Sequence, residues 1–176
     1  MTIEQDKTLG ALQTAIQMEI DGKEFYLKAS QASNNELGKK LLKSLAAEED
    51  LHRQTFEEIY DTIRSQKAWP RTDFQPDHGR GLRTIFARAL EEEESSIKAM
   101  PTELDAVQTA MAMENKTYDF YIKQSQMATY DAERDFYEAL AAQEGEHHRI
   151  LLDYYEFLKN PAAWFVQKEH PSLDGG

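Results

Sequence analysis

Two segments of the chain pair a carboxylate with an imidazole three residues apart, Glu49 with His52 and Glu144 with His147. On an α-helix, residues at i and i+3 share one face, with Cβ atoms about 5–6 Å apart. That spacing lets a carboxylate oxygen and an imidazole nitrogen grip one cation. A single such pair arises readily by chance, and short motifs carry that risk. Two pairs at equivalent places in a repeat are a stronger signal, so the elements that carry them decide the matter.

The periodicity predicts four long helices in two hairpins. In the first hairpin, 8–66, one apolar stripe runs Leu9, Leu12, Ile16, Glu19, Lys23, Tyr26, at helical steps of three and four residues. Ser33-Asn34-Asn35 stops it and restarts the chain, since Asn caps helix N-termini well and Glu36 suits a first turn. The next stripe is Leu41, Leu42, Leu45, Glu49, His52, Phe56, Ile59. Both stripes carry acids on their apolar side. A hairpin of this kind is antiparallel.

Residues 67–101 read as a long crossover. Trp69-Pro70, Gln75-Pro76, Gly79 and Gly81 interrupt helix. A shorter helix is expected within 82–100, with Ile85, Phe86, Ala89 and Leu90 as its apolar side, and Glu91–Glu94 as a solvated face. The second hairpin spans 102–159, with Thr102 and Asp105 resembling a capping box at its start. The tail, 160–176, carries Trp164 and Phe165, which are expected to dock on the bundle or on a second subunit. The whole chain, 1–176, reads as a single domain of all-α class.

The hairpins repeat each other without a gap at an offset of 95, which sets Glu114 on Glu19. Phe25-Tyr26 meets Phe120-Tyr121, Leu45-Ala46-Ala47 meets Leu140-Ala141-Ala142, Glu49 meets Glu144, and His52 meets His147. Shared apolar spacing would match Leu, Ala and Phe, but would not set both Glu-x-x-His pairs and both preceding acids in one register. Glu19 and Glu49 each lie 15 residues from Asn34, and Glu114 and Glu144 each lie 15 from Thr129. At 1.5 Å per residue, all four carboxylates sit about 22 Å from their turns, at one depth. Stacking the hairpins gathers four Glu and two His at mid-bundle.

Four inward carboxylates cannot stay ionised and unpaired in a core. Only Lys23 shares their register, and its counterpart is Tyr118. Two divalent cations would neutralise the four carboxylates, with both His neutral. Carboxylate-rich O/N ligation suits iron or manganese better than a structural zinc site, although zinc could occupy it in a purified sample.

An acid on one helix and Glu-x-x-His on the next, twice over, resembles the di-iron carboxylate site of the ferritin-like superfamily. The stretches Ala15-Ile16-Gln17-Met18-Glu19 through Tyr26, and Leu45 through His52, are similar to the rubrerythrin branch. The resemblance implies a ferritin-like four-helix bundle holding two iron ions. It implies that Glu19 and Glu114 are terminal ligands, Glu49 and Glu144 bridge, and His52 and His147 complete the coordination. It also implies that Tyr26 and Tyr121 hydrogen-bond ligand carboxylates, against the plainer reading of aromatic core.

Two departures from that family bear on activity. Full rubrerythrins add a cysteine-bound iron domain, and this chain has no Cys. That domain is expected to be absent, with electrons coming from a separate donor protein. Typical members also carry an extra acid near the third-helix ligand, where this chain has Met111 and Thr117. This counts against a redox-linked ligand switch and against efficient peroxide reduction. His148, His78, His170, Glu146 and Glu48 are read as lying outside the site, Glu48 because its counterpart is Gln143.

Composition narrows the rest. A net charge of −12 argues against nucleic acid and anionic membranes as partners. The absence of Cys excludes disulfides, iron–sulfur clusters and thiol catalysis, and fits a cytoplasmic protein. No signal peptide or membrane span is evident. The expected function is an oxidoreductase acting on H2O2 or O2, or oxidising Fe(II), with a homodimer compatible with the chain. Iron binding or storage, a structural metal site and oxidation of an organic substrate stand as alternatives.

Overall fold

The computed structural model describes residues 3–66, 68–72, 74–92 and 100–164. Its elements are α1 (Ile3–Ala32), α2 (Glu36–Gln66), α3 (Arg80–Glu92), α4 (Pro101–Met127) and α5 (Asp131–Lys159). No strand occurs among the described residues. None of these helices is long and apolar enough to cross a membrane. The side chains of Ala89, Leu90, Glu91 and Glu92, and residues Glu93, Glu94, Phe165 and His170, lie outside what is described.

α1 packs along α2 and α4 along α5, each pair joined by three residues. The hairpins meet through α1 and α4. The Tyr26 hydroxyl, late in α1, donates to Glu114, and Tyr121, seven residues after Glu114, donates back to Glu19. α1 and α4 are therefore antiparallel, and a local pseudo-twofold axis relates the hairpins. The connection from α2 runs the length of the bundle. It carries α3, whose Phe86 packs edge-on against Tyr154 and Phe157 of α5. Trp164 docks on the same Phe86 and Phe157, so this part of the tail covers the bundle.

Turn chemistry explains the helix ends. Asn35 is the N-cap of α2, and its Oδ1 accepts from the Gly38 amide at 2.6 Å. α4 departs from the capping box expected at Thr102. It starts at Pro101 after Met100, with no side-chain cap. Pro at the first position replaces the cap, because its missing N–H is one of the orphans. Glu103 turns inward instead, accepting from Ser33 Oγ (2.6 Å), Tyr154 Oη (2.7 Å) and Asn35 Nδ2 (3.1 Å). Gly81 does not interrupt helix; it lies in the first turn of α3, where Asp77 accepts from its amide at 2.8 Å. The break falls at His78 and Gly79, with φ of 55° and 70°.

The Glu103 network leaves no room beside α2. A Cβ at Gly38 would meet the Tyr154 hydroxyl, Ser33 Oγ and Glu103 Oε1. Gly38→Ala must displace groups that satisfy one another. A cost of about 2 kcal/mol is expected, within the overpacking range. For a chain of this size that lowers the melting temperature by roughly 4–8 °C, measurable by circular dichroism.

Two apolar clusters fill the interior. One contains Tyr26, Leu37, Leu41, Leu45, Val107 and Tyr154; the other contains Leu9, Leu12, Phe56, Trp69, Tyr121 and Tyr137. No residue belongs to both. Between them lies a layer of polar side chains.

Candidate metal centre

That layer is the predicted six. Glu19, Glu49, His52, Glu114, Glu144 and His147 are each at most 4% exposed. α1 and α4 each supply one carboxylate, and α2 and α5 each supply a carboxylate–imidazole pair. Helical spacing sets the pairs: His147 Nδ1 lies 3.3 Å from Glu144 Oε2, and His52 Nδ1 lies 3.7 Å from Glu49 Oε2. The pairs then reach across hairpins. His52 Nδ1 is 3.3 Å from Glu144 Oε1, and His147 Nδ1 is 3.1 Å from Glu49 Oε1. Glu19 closes on His52 at 3.4 Å, and Glu114 on His147 at 3.6 Å. The imidazoles stack, 5.7 Å apart and 12° from parallel.

The six residues form two overlapping groups. Glu19, Glu49, His52 and Glu144 make one; Glu49, Glu114, Glu144 and His147 make the other. Within each, ligand-type atoms lie within 4.8 Å of one another. Glu49 and Glu144 belong to both. Glu19 Oε2, Glu49 Oε1, both Glu144 oxygens and the Nδ1 atoms of both His are buried without a hydrogen-bond partner among the described residues. Unpaired buried polar atoms are costly and rare. Here they converge, and two cations among them would satisfy the whole set. The residues present fit a two-cation group.

Without cations the cluster must neutralise itself with protons. Burial, then the charge of Glu49, pushes the Glu19 carboxyl well above its ordinary range, and the same two causes act on Glu114. Burial opposes a charge on His52, yet Glu19 and its other carboxylate neighbours raise its pKa well above normal; at His147, Glu114 leads the same effect. Glu144 goes the other way. Burial and Glu49 raise it, but the facing His147 and His52 imidazoles outweigh them and hold it at about 2. Glu49 is held low in the same sense: the adjacent Glu19 carboxyl and the His147 and His52 imidazoles overcome burial. Two carboxyls pushed toward their neutral form, two imidazoles toward their charged form and two carboxyls toward theirs together move the metal-free cluster toward neutrality.

The tyrosines bind as the resemblance implies, across the hairpin boundary, Tyr26 to Glu114 and Tyr121 to Glu19. Burial and then the charge of the facing Glu hold both hydroxyls well above their ordinary range, so each stays a donor. Lys23 does not join the cluster; it pairs with Asp50 at 2.8 Å. Glu146 pairs with Arg83 at 2.6 Å, away from the cluster. His148 is half-buried and outside both groups. Met111 packs against the apolar core, so no further acid reaches Glu114 from that position.

One expectation fails. Glu48, set aside because its counterpart is an amide, accepts from His147 Nε2 at 2.8 Å and from Gln143 Nε2 at 2.9 Å. It is the outer hydrogen-bond partner of a cluster imidazole. The signal was the mismatch itself: glutamate and glutamine share one shape, so the pair Glu48/Gln143 preserves a hydrogen-bonding position while changing its charge.

The family model for rubrerythrin matches residues 10–155. No curated protein and no solved structure matches the chain. The matched span holds both hairpins up to the last turn of α5, with all six buried side chains at the depth where two cations fit. On that match, the chain belongs to the rubrerythrin family, within the ferritin-like di-iron superfamily.

Proposed function

We propose that the chain is a di-iron oxidoreductase that reduces a small oxidant, H2O2 or O2. One observation carries this reading: the two ligand groups share Glu49 and Glu144, which sets two metal positions side by side. Glu19 and His52 would hold one ion, Glu114 and His147 the other, with Glu49 and Glu144 common to both. Iron suits a donor set of four carboxylates and two imidazoles. Two ferrous ions held there would supply the two electrons that, with two protons from solvent, cleavage of the H2O2 bond to two waters requires.

The chain does the rest. Burial of all six side chains favours an oxidant as small as H2O2 or O2 over a bulky organic substrate. The apolar clusters above and below keep bulk water out. The Tyr26 and Tyr121 hydroxyls aim Glu114 and Glu19 and keep a proton at each of those carboxylates. Electrons return from a separate donor protein.

The test is anaerobic loading with Fe(II), then stopped-flow addition of H2O2 or O2. About two Fe(II) per chain should bind, as the four carboxylates require for charge balance, and oxidise. Failure to consume either oxidant would sink the reading. Tyr26→Phe and Tyr121→Phe should each weaken metal binding roughly 10–100-fold, as loss of an outer hydrogen bond to a ligand does. Both should keep a stoichiometry of about two, the number the carboxylates balance. The near-symmetry of the two contacts predicts similar losses, measurable by competition with a chromophoric chelator.

A further inference from the structure

The two halves of the cluster match in six residues and two tyrosines, but not one layer further out. His147 Nε2 donates to Glu48 at 2.8 Å, and Gln143 steadies that carboxylate at 2.9 Å. At the repeat offset, Glu48 corresponds to Gln143 and His147 to His52. The His52 half therefore has an amide where the His147 half has a carboxylate. Among the described residues, neither the buried His52 Nε2 nor the buried Gln143 Oε1 has a hydrogen-bond partner. The Phe74 ring stands edge-on to the His52 imidazole, 5.8 Å between centroids.

Both imidazoles turn Nδ1 toward the carboxylates, so a neutral ring that ligates there keeps its proton on Nε2. For His147 that proton has an anionic acceptor. The acceptor fixes the tautomer, locks the ring and makes Nδ1 a better donor to a cation. For His52 the same proton is buried without an acceptor, so holding the ring in its ligating form is less favourable.

Resting on the reading of the cluster as a two-cation site, we propose that its two positions are unequal. The position built on Glu114 and His147 binds tightly and fills first, with Glu48 as its positioning residue. The position built on Glu19 and His52 binds weakly and exchanges. The difference expected from one outer carboxylate is roughly 10–100-fold in affinity.

Anaerobic titration of the metal-free protein with Co(II), followed by visible absorption and calorimetry, tests this. Wild type should bind two Co(II) in resolved steps. His52→Ala should keep the tight step, and His147→Ala should lose it. Glu48→Gln should bring the tight step down to the weak one while the total stays at two, and melting of the metal-free variants reports whether they fold. Two equal steps in wild type, or retention of the tight step in His147→Ala, would overturn the inequality and leave the two-cation reading standing. No Co(II) binding by wild type would overturn that reading itself. If Glu48→Gln does not fold, the wild-type and histidine titrations decide.

Discussion

Loading the metal-free protein with two divalent ions near neutral pH is expected to release about four protons. Glu19 and Glu114 hold one each because burial and Glu49 raise them, and His52 and His147 hold one each because their carboxylate neighbours do. Metal ligands must be deprotonated, so binding expels all four. About two protons per ion means that affinity should rise roughly 100-fold per pH unit per ion across the window where those groups titrate. The sign for stability follows separately. A raised folded-state pKa, on Glu or on His, stabilises below the unfolded value and loses that stabilisation as pH climbs through the folded one. The lowered carboxyls, Glu49 and Glu144, contribute the opposite sense and lose it only as pH falls through their folded values, about 2 for Glu144. The metal-free chain should therefore melt highest in mildly acidic buffer and lower as pH rises toward 8. Metal-loaded protein should show no such fall. Proton release in weakly buffered dye solution and melting across pH check both halves. Binding without proton release would sink this account of the cluster.

The second large effect concerns Glu49 and Glu144. Glu49→Gln with Glu144→Gln removes both carboxylates common to the two groups while keeping shape. Each is asked to serve both ions, so the loss should far exceed the roughly 10–100-fold of an outer hydrogen bond. No stoichiometric metal should survive gel filtration. The metal-free fold should change little. With the charge of Glu49 gone, one cause of the raised pKa of Glu19 and Glu114 is removed, so both can ionise against His52 and His147 and spare the cluster the cost of an unpaired buried charge. The expected signature is lost binding with a melting temperature within a few degrees of metal-free wild type. A double variant that still binds two ions would remove Glu49 and Glu144 from the site.

The cluster was legible in sequence because its determinants are local and duplicated. Glu49 and His52 are three apart on one helix, and distance from Asn34 alone places Glu19 at their depth. The repeat then fixed the second half. What failed to show were contacts between hairpins that the repeat does not conserve. Glu48 serves His147, a residue almost a hundred positions away, and no helical stripe links them. Glu103 was not singled out in the sequence, because its partners come from two distant places in the chain, Ser33 and Asn35 in the first turn and Tyr154 on α5. The capping box at Thr102 failed for a physical reason: Pro101, its φ preset for the first helical position, starts the helix after Met100, so Thr102 already lies inside it and is no cap. Gly81 misled because glycine interrupts helices only where no side chain holds the turn, and Asp77 holds this one.

The outer hydrogen bonds to the cluster cross from one hairpin to the other: Tyr26 to Glu114, Tyr121 to Glu19, Glu48 to His147. Two copies of a single hairpin, paired about a true twofold axis, could build the same six-residue constellation. In such a homodimer any change beside one imidazole would appear beside the other, and both positions would stay identical by symmetry. Joining the hairpins through the 67–100 connection lifts that constraint. A covalent crossover is what lets glutamate stand at 48 and glutamine at 143, and so would let one protein hold two cations on different terms.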